Sequence, residues 1–388
     1  MADISRRKVL KLTALGVGSL TTLDLISGCS SGSSTPPTAD LAGSTKTLKS
    51  FVPGAAPGPA TGLPKRVAWA STANTEFFLA LGAGMSAAAS ARGVDYVTAT
   101  SGDDPSQHVD QMNAFLARGV GALAMQPLDP ASEGPVLTTA INKGVCAQGI
   151  ITSPCTLQIA ASQYQIGFDQ GKAAAEYAKA HLGGQAQVAY FNLDTVAPQL
   201  KVRHMGVLAG LKTGGPGIKV VSDLTVADIS TEAGFNAMNT VIQAHPAIKM
   251  VLGGDTIVVG AYHALQQGGK LQPDMYLSGV DGDSEALALI KQGGPYRLSI
   301  AFAWKLMGYG LGQFGADWIE AKEIPRVIVA KGLLLDSAAA VTTFQTDSSN
   351  PGPVFADPAR YQTYLPLLGN VSYAKRNEYW TTEFTPPT

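Results

Sequence analysis

Beyond Pro64, short runs rich in β-branched residues alternate with longer runs whose apolar positions recur at helical spacing. "RVAWAS" precedes "TEFFLALGAGMSAAASARG", and "VDYVTAT" precedes "SQHVDQMNAFLARG". "GALAMQP", "DPASEGPVLTTAINKG" and "VCAQGI" continue the series. Each helix-like run closes on a glycine, at Gly93, Gly119 and Gly144, and a strand-like run starts at once. Glycine just past a helix accepts the left-handed backbone that ends it. Ser106, Asp129, Ser230 and Asp283 are of N-cap type at the helix starts. The rhythm pauses around "ITSPCTLQIAASQYQIG" and resumes as a second series, from "FDQGKAAAEYAKAHLG" through "QVAYFNL" to "VIVAKGLLL". Strand-helix-strand units predict parallel sheets covered on both faces. Two such series predict an α/β chain of two doubly wound lobes with a cleft between them. Ligands of such sheets bind beyond the carboxyl ends of the strands, so the residues there are the candidates for chemistry.

The chain before residue 65 follows a different pattern. A basic head, a short apolar middle and small residues make a signal peptide over 1–28, too short and interrupted to span a bilayer. Ser5, Arg6, Arg7, Lys8, Val9, Leu10 and Lys11 resemble the twin-arginine export motif. Ile26, Ser27, Gly28 and Cys29 resemble the bacterial lipobox, which implies cleavage before Cys29 and diacylation of its thiol. Two acyl chains anchor a protein stably, where one binds only marginally. The alternative is a plain secretory signal with an incidental cysteine. Residues 29–64 are rich in Ser, Gly, Pro, Ala and Thr without hydrophobic periodicity, and read as a flexible linker.

What remains is about 320 residues, enough for two ordinary domains. A net charge of −1, with 15% charged residues, offers no footprint for nucleic acid or an anionic membrane surface. Cys146 and Cys155 are left as an even pair in a compartment that permits disulfides, either bridged or as two buried thiols. The five histidines lack metal-site spacing, no G-x-S-x-G elbow occurs, and the G-x-G of "LGAGMSAAAS" falls inside a helical run. No metal, cofactor or catalytic group is expected. An anchored enzyme with an unrecognised triad is the alternative.

Five segments carry a family resemblance: "STANTEFFLAL", "MNAFLARGVGALAMQPLDP", "VIQAHPAIKMVLGGDTIVVGAYHALQQGGK", "YLSGVDGDSEALALIKQGG" and "RLSIAFAWKLMGYGLGQ". In this order they resemble the type 1 periplasmic binding proteins, the ribose-binding-like solute receptors of ABC importers. The resemblance spans about Lys65 to Leu335. It implies two lobes joined by a three-segment hinge, with crossings near Tyr164, Phe302 and Ala330. One lobe would take 65–163 and 303–330, the other 164–302 and 331–336, with 337–388 as an extension packed on a lobe. It also implies a monomer outside the cytoplasm that closes on a small sugar or polyol and delivers it to a permease. A sensor passing its closed form to a membrane signalling protein is the second reading.

Position by position, the resemblance implies that Thr75, Phe77 and Phe78 follow the first strand, with Phe77 facing the ligand. Asp281 would accept ligand hydroxyl hydrogen bonds, and Gln126 would be a lesser contact. Asp255 is either a ligand group or a helix N-cap, and the family's ligand-binding Asn falls at Gly254. One of Lys201 and Arg203 would reach the ligand while the other is solvated. The family's Asp-Arg pair is replaced by Ile151, Thr152 and Ser153, leaving Thr152 as the polar group there. Phe302, with Trp304 nearby, stands where sugar receptors often carry Gln. These replacements open the alternative of a less hydroxylated, aromatic or nucleobase-like ligand.

Overall fold

A computed structural model gives the structure of the protein over residues 58–150, 155–196 and 198–368. The expected signal peptide, Cys29, the linker up to residue 57, Thr152 and the tail past residue 368 lie outside the described residues. The first half of the chain runs β1 (Arg66–Ser71), α1 (Glu76–Ala91), β2 (Asp95–Thr100), α2 (Pro105–Arg118), β3 (Ala122–Met125), α3 (Pro130–Asn142), β4 (Cys146–Ile150) and β5 (Leu157–Ala160). There follow α4 (Gln163–His181), β6 (Ala186–Asn192), α5 (Pro198–Lys212), β7 (Ile218–Thr225), α6 (Thr231–Ala244), β8 (Ile248–Leu252), α7 (Asp255–Gln267), β9 (Tyr276–Asp281), α8 (Ser284–Gln292) and β10 (Tyr296–Ala301). The last part comprises α9 (Trp304–Ile319), β11 (Val327–Val329), β12 (Leu333–Leu335), α10 (Ala338–Ser349), α11 (Pro351–Phe355), α12 (Pro358–Tyr364) and β13 (Leu367–Leu368).

Two sheets form. A seven-stranded sheet has the order β13-β11-β5-β4-β3-β1-β2, and a six-stranded sheet the order β12-β10-β9-β8-β6-β7. All pairings are parallel except β13 on β11 and β12 on β10. The inner strands β3, β4 and β5 are buried along their whole length, as parallel strands roofed by helices on both faces must be. The edge strands β2 and β7 are largely half-exposed or exposed. Cys146 and Cys155 are both buried, and the pairing of Gln148 with Leu157 brings the chain at Cys155 level with the start of β4.

Local signals explain the boundaries. Gly93, Gly119 and Gly144 end α1, α2 and α3 at φ of 62°, 80° and 74°, where a side chain would be strained. Asp129 and Ser230 cap α3 and α6 by accepting from the Ala131 and Ala233 amides. Ser106 does not cap α2. Pro105 occupies the first helical position, where its missing N–H costs nothing, and Asp104 accepts from Gln107 N at 3.0 Å. Asp283 stands before α8, yet its carboxylate is taken by the Thr256 hydroxyl at 2.5 Å.

The chain passes between the sheets at 161–162, at 302–303 and at 330–332, and returns once more between β12 and β13, so the apolar run "VIVAKGLLL" is divided between the two lobes. Two expectations need correction. Residues 58–64, read as linker, lie on the seven-stranded lobe: a side chain at Gly144 would meet Ala60 at 2.4 Å, and one at Gly121 would meet the Pro64 carbonyl at 2.5 Å. The described part of the extension packs on both lobes instead of one. Helix α10 lies against α8 of one lobe and α9 of the other, with Lys291 donating to Gln345 and Lys305 to the Ser349 carbonyl. Phe355 of α11 meets Tyr309, Phe314 and Tyr361 at centroid distances of 5.6, 5.5 and 5.0 Å. The packing buries the apolar side chains of Val341, Phe344, Val354 and Tyr361.

Candidate functional site

The C-terminal ends of β1, β3, β6, β8 and β9, with the segment after β10, gather most of the candidate residues. On the seven-stranded side, the turn after β1 leads into α1. Thr75 stands at its N-cap, exposed and making no capping bond, so its hydroxyl is uncommitted. Phe77 and Phe78 are half-buried and 4.7 Å apart in edge contact. Phe78 leans toward Trp69 of β1 at 6.4 Å, while Phe77 lies edge-on to Trp304 at 4.5 Å. Gln126, just past β3, has a buried Oε1 without a hydrogen-bond partner among the described residues.

The turns that carry these groups are pinned by a buried pair that the sequence did not reveal. His108 of α2 and Glu133 of α3 are both fully buried, with Nδ1 and Oε1 2.7 Å apart. The His108 Nε2 lies 3.3 Å from the Ala70 carbonyl, and Glu133 Oε1 also accepts from Leu128 N at 2.9 Å. Ala70 and Leu128 are the roots of the two mouth loops.

On the six-stranded side the carboxylates divide by role. Asp255, offered as a ligand group, is corrected: it is fully buried at the start of α7, whose N-cap is Gly254. Its Oδ1 accepts from the Tyr296 hydroxyl at 2.7 Å. Its Oδ2 accepts from Ser299 Oγ at 2.6 Å, Gly282 N at 2.7 Å and Asp283 N at 3.0 Å. No capacity is left for a ligand. Burial and the Asp283 charge push its carboxyl up to about 6. From the other side, Gln170 of α4 braces the same strand ends, donating to the carbonyls of Gly253 at 2.9 Å and Ser278 at 3.0 Å.

Asp281 is the reverse. It ends β9 at φ 120°, in a region that side chains enter only at a cost of about 1 to 3 kcal/mol. No described residue donates a hydrogen bond to its half-buried carboxylate. Burial pushes this carboxyl up to about 7; the Arg203 guanidinium works against the rise, and Asp283 and Asp255 add to it. Asp283 is itself raised by burial, with Thr256 opposing and Glu76 adding to the shift. Glu76 reaches over from α1 to accept from Ser284 Oγ at 3.1 Å.

Of the two basic candidates on α5, Lys201 is exposed, whereas Arg203 is half-buried. The Arg203 Nε donates to Gln163 at 2.9 Å, which leaves its terminal nitrogens for the cleft. Of the aromatic pair after β10, Phe302 needs correction as ligand surface, while Trp304 is partly exposed. Phe302 is only 3% exposed and packs on Trp304 at 4.7 Å, so it is core. Trp304 has spent its indole N–H on the Asp281 carbonyl at 2.9 Å. Among the described residues, no group of three or more His, Cys, Asp or Glu is placed to hold a metal ion. The site left over is one carboxylate, one guanidinium, one amide oxygen, one hydroxyl and the face of Phe77. Such a set offers hydrogen-bond donors and acceptors beside an apolar surface.

Comparison with known proteins bears on the family and the fold. The family profile described as periplasmic binding protein domain matches residues 66–323. The chain is 26% identical over 273 residues to the ribose import binding protein of Bacillus subtilis, covering 67% of this chain and 83% of that one. An ABC transporter solute-binding protein from Mycobacterium smegmatis, solved with bound glycerol, superposes with a TM-score of 0.62 at 24% identity, over 72% of this chain and 96% of that one. One from Bacillus halodurans, with bound myo-inositol, does so at 0.63 and 18% identity, over 74% and 99%. The chain belongs to the periplasmic binding protein family.

Proposed function

We propose that the protein captures a small sugar or polyol between its lobes and delivers it, as a monomer, to an ABC import permease. The observation that carries this reading is Asp281, an unfilled hydrogen-bond acceptor held on a strained backbone beside Arg203. Ligand hydroxyls would donate to Asp281 and Gln126 and accept from Arg203, while Phe77 packs on the C–H side of the ring or chain. Relatives with this fold are named for ribose import or were solved with glycerol and myo-inositol. The aromatic-ligand reading is weakened because Phe302 is core.

The test is thermal unfolding against sugars, polyols, nucleosides and small aromatics. A ligand present at 100 times its dissociation constant stabilises by about 2.7 kcal/mol. The expected result is a shift with a sugar or polyol that is absent in Asp281→Ala. Shifts confined to aromatics or nucleosides would overturn the reading.

Export and anchoring complete the proposal: the 1–28 segment is removed and acyl chains on Cys29 hold the receptor near its permease, outside the cytoplasm. The supporting observation is the coincidence of two motifs within Ser5 to Cys29. Radiolabelled palmitate should enter the wild type and not Cys29→Ala. Equal labelling of both would refute the anchor.

A further inference from the structure

We propose that Trp304 is a positioning residue that holds the Asp281 carboxylate in its binding orientation across the hinge. This rests on the reading of the cleft as a sugar or polyol site and adds the device that aims its main acceptor. Trp304 opens α9, on the seven-stranded lobe, immediately after the crossing at 302–303. Its Nε1 donates at 2.9 Å to the carbonyl of Asp281, which ends a strand of the other lobe. The Phe302 amide points at the same carbonyl at 3.5 Å.

The peptide unit after Asp281 is therefore gripped at both ends. Its carbonyl is held by Trp304, and its N–H, on Gly282, is held by Asp255 Oδ2 at 2.7 Å and Ser299 Oγ at 3.2 Å. Gly282 has φ 84°, and a side chain there would lie 2.6 Å from the Ala301 methyl. With both faces of the peptide fixed, Asp281 has little freedom except at φ 120°. A residue persists in such a region only where its surroundings over-determine it. Trp304 is the part of that frame that belongs to the opposite lobe.

The indole is itself held in place. Its ring lies 4.5 Å from Phe77, edge-on, and 4.7 Å from Phe302. Phe77 is the apolar platform of the site, so platform and acceptor are joined through one ring. A ligand that settles on Phe77 meets an Asp281 whose orientation depends on the same stack. Pre-setting an acceptor in this way raises affinity by removing the ordering cost from the binding step.

The experiment uses the full chain. The carboxyl carbon of Asp281, labelled with 13C, is followed by NMR as pH is changed, without ligand, in wild type and Trp304→Phe. The charged and titratable groups around it are Arg203 of α5, Asp255 of α7, Tyr296 of β10, Asp283 and Glu76; none is altered. The wild-type midpoint is expected near 7, and the variant's should fall by at least about one unit as the freed loop turns toward water. Calorimetry with D-ribose and myo-inositol should show about a tenfold loss of affinity in Trp304→Phe. On an Asp281→Asn background the same change should cost less than about twofold, as expected of coupled residues.

An unchanged midpoint, or an equal loss of affinity on both backgrounds, overturns the proposal. If neither compound binds the wild type, the sugar reading fails while the NMR midpoint still decides the role of Trp304. Should Trp304→Phe not fold, a benzothienyl side chain placed at 304 by codon suppression removes only the N–H and keeps the ring. The same outcomes then apply.

Discussion

Asp255 and Asp281 stand at the ends of neighbouring strands, β8 and β9, and share one desolvated corner of the cleft. Both carboxyls are pushed upward, to about 6 and about 7, mainly by burial. Asp255 nevertheless receives four hydrogen bonds from the protein, and Asp281 receives none on its carboxylate from the described residues. Asp255 has ordinary helical geometry, while Asp281 is held at positive φ. The contrast teaches that burial and a perturbed carboxyl do not by themselves mark a binding group. Unfilled hydrogen-bonding capacity, held against strain, is what separates Asp281 from its neighbour.

The contrast can be broken at either residue. Asp255→Ala should have the largest effect, on stability, because it orphans Tyr296, Ser299 and two amides in a buried corner. A loss on the order of 4 kcal/mol is expected in urea unfolding. A loss below about 1 kcal/mol would mean that Asp255 is no more of a scaffold than its neighbour. Asp281→Ala should do the opposite: stability equal to or above the wild type, and sugar or polyol affinity down by about a hundredfold, or roughly 2.7 kcal/mol.

The smallest effect is the pH dependence. Asp281 has a folded value raised to about 7, above its unfolded one, so the folded state holds its proton more tightly. Its contribution to stability is present at low pH and fades as pH rises from about 4 to about 7. Melting temperature in Asp281→Asn should therefore fall less steeply over that window than in wild type. A parallel slope would assign the dependence to Asp255, whose window closes near 6. Ligand hydroxyls prefer the ionised carboxylate, so affinity should rise with pH through the same range.

Much of the fold was legible because its signals are local. Gly93, Gly119 and Gly144 each end a helix through their own backbone, and Phe77 follows its strand within six residues of Ser71. The motif around Asp281 placed it at the end of its strand, as found. What escaped depends on residues far apart in the chain. The donors to Asp255 lie at Gly282, Asp283, Tyr296 and Ser299, and no pattern near Asp255 announces them. The pairing of His108 with Glu133 joins two helices whose sequences read as ordinary amphipathic runs. The hydrogen bond from the Trp304 indole to the Asp281 carbonyl likewise joins residues far apart in the chain. The extension concealed its contacts for a similar reason, since its apolar residues say that cover is needed and not which lobe provides it.

The threading of the seven-stranded sheet also bears on how the molecule comes into being. When residues up to 160 have left the ribosome, β1 to β5 exist, but the edge of β5 is bare. Its neighbour β11 comes only at 327–329, and β13, which covers β11 in turn, only at 367–368. The whole six-stranded lobe except β12 is synthesised in between. An uncovered strand edge is a template for pairing with another chain. Neither lobe can mature ahead of the other, and contacts this distant in sequence form slowly. Completion of the seven-stranded sheet is thereby tied to the last stretch of the described chain, and a nascent protein interrupted before residue 327 leaves the β5 edge uncovered.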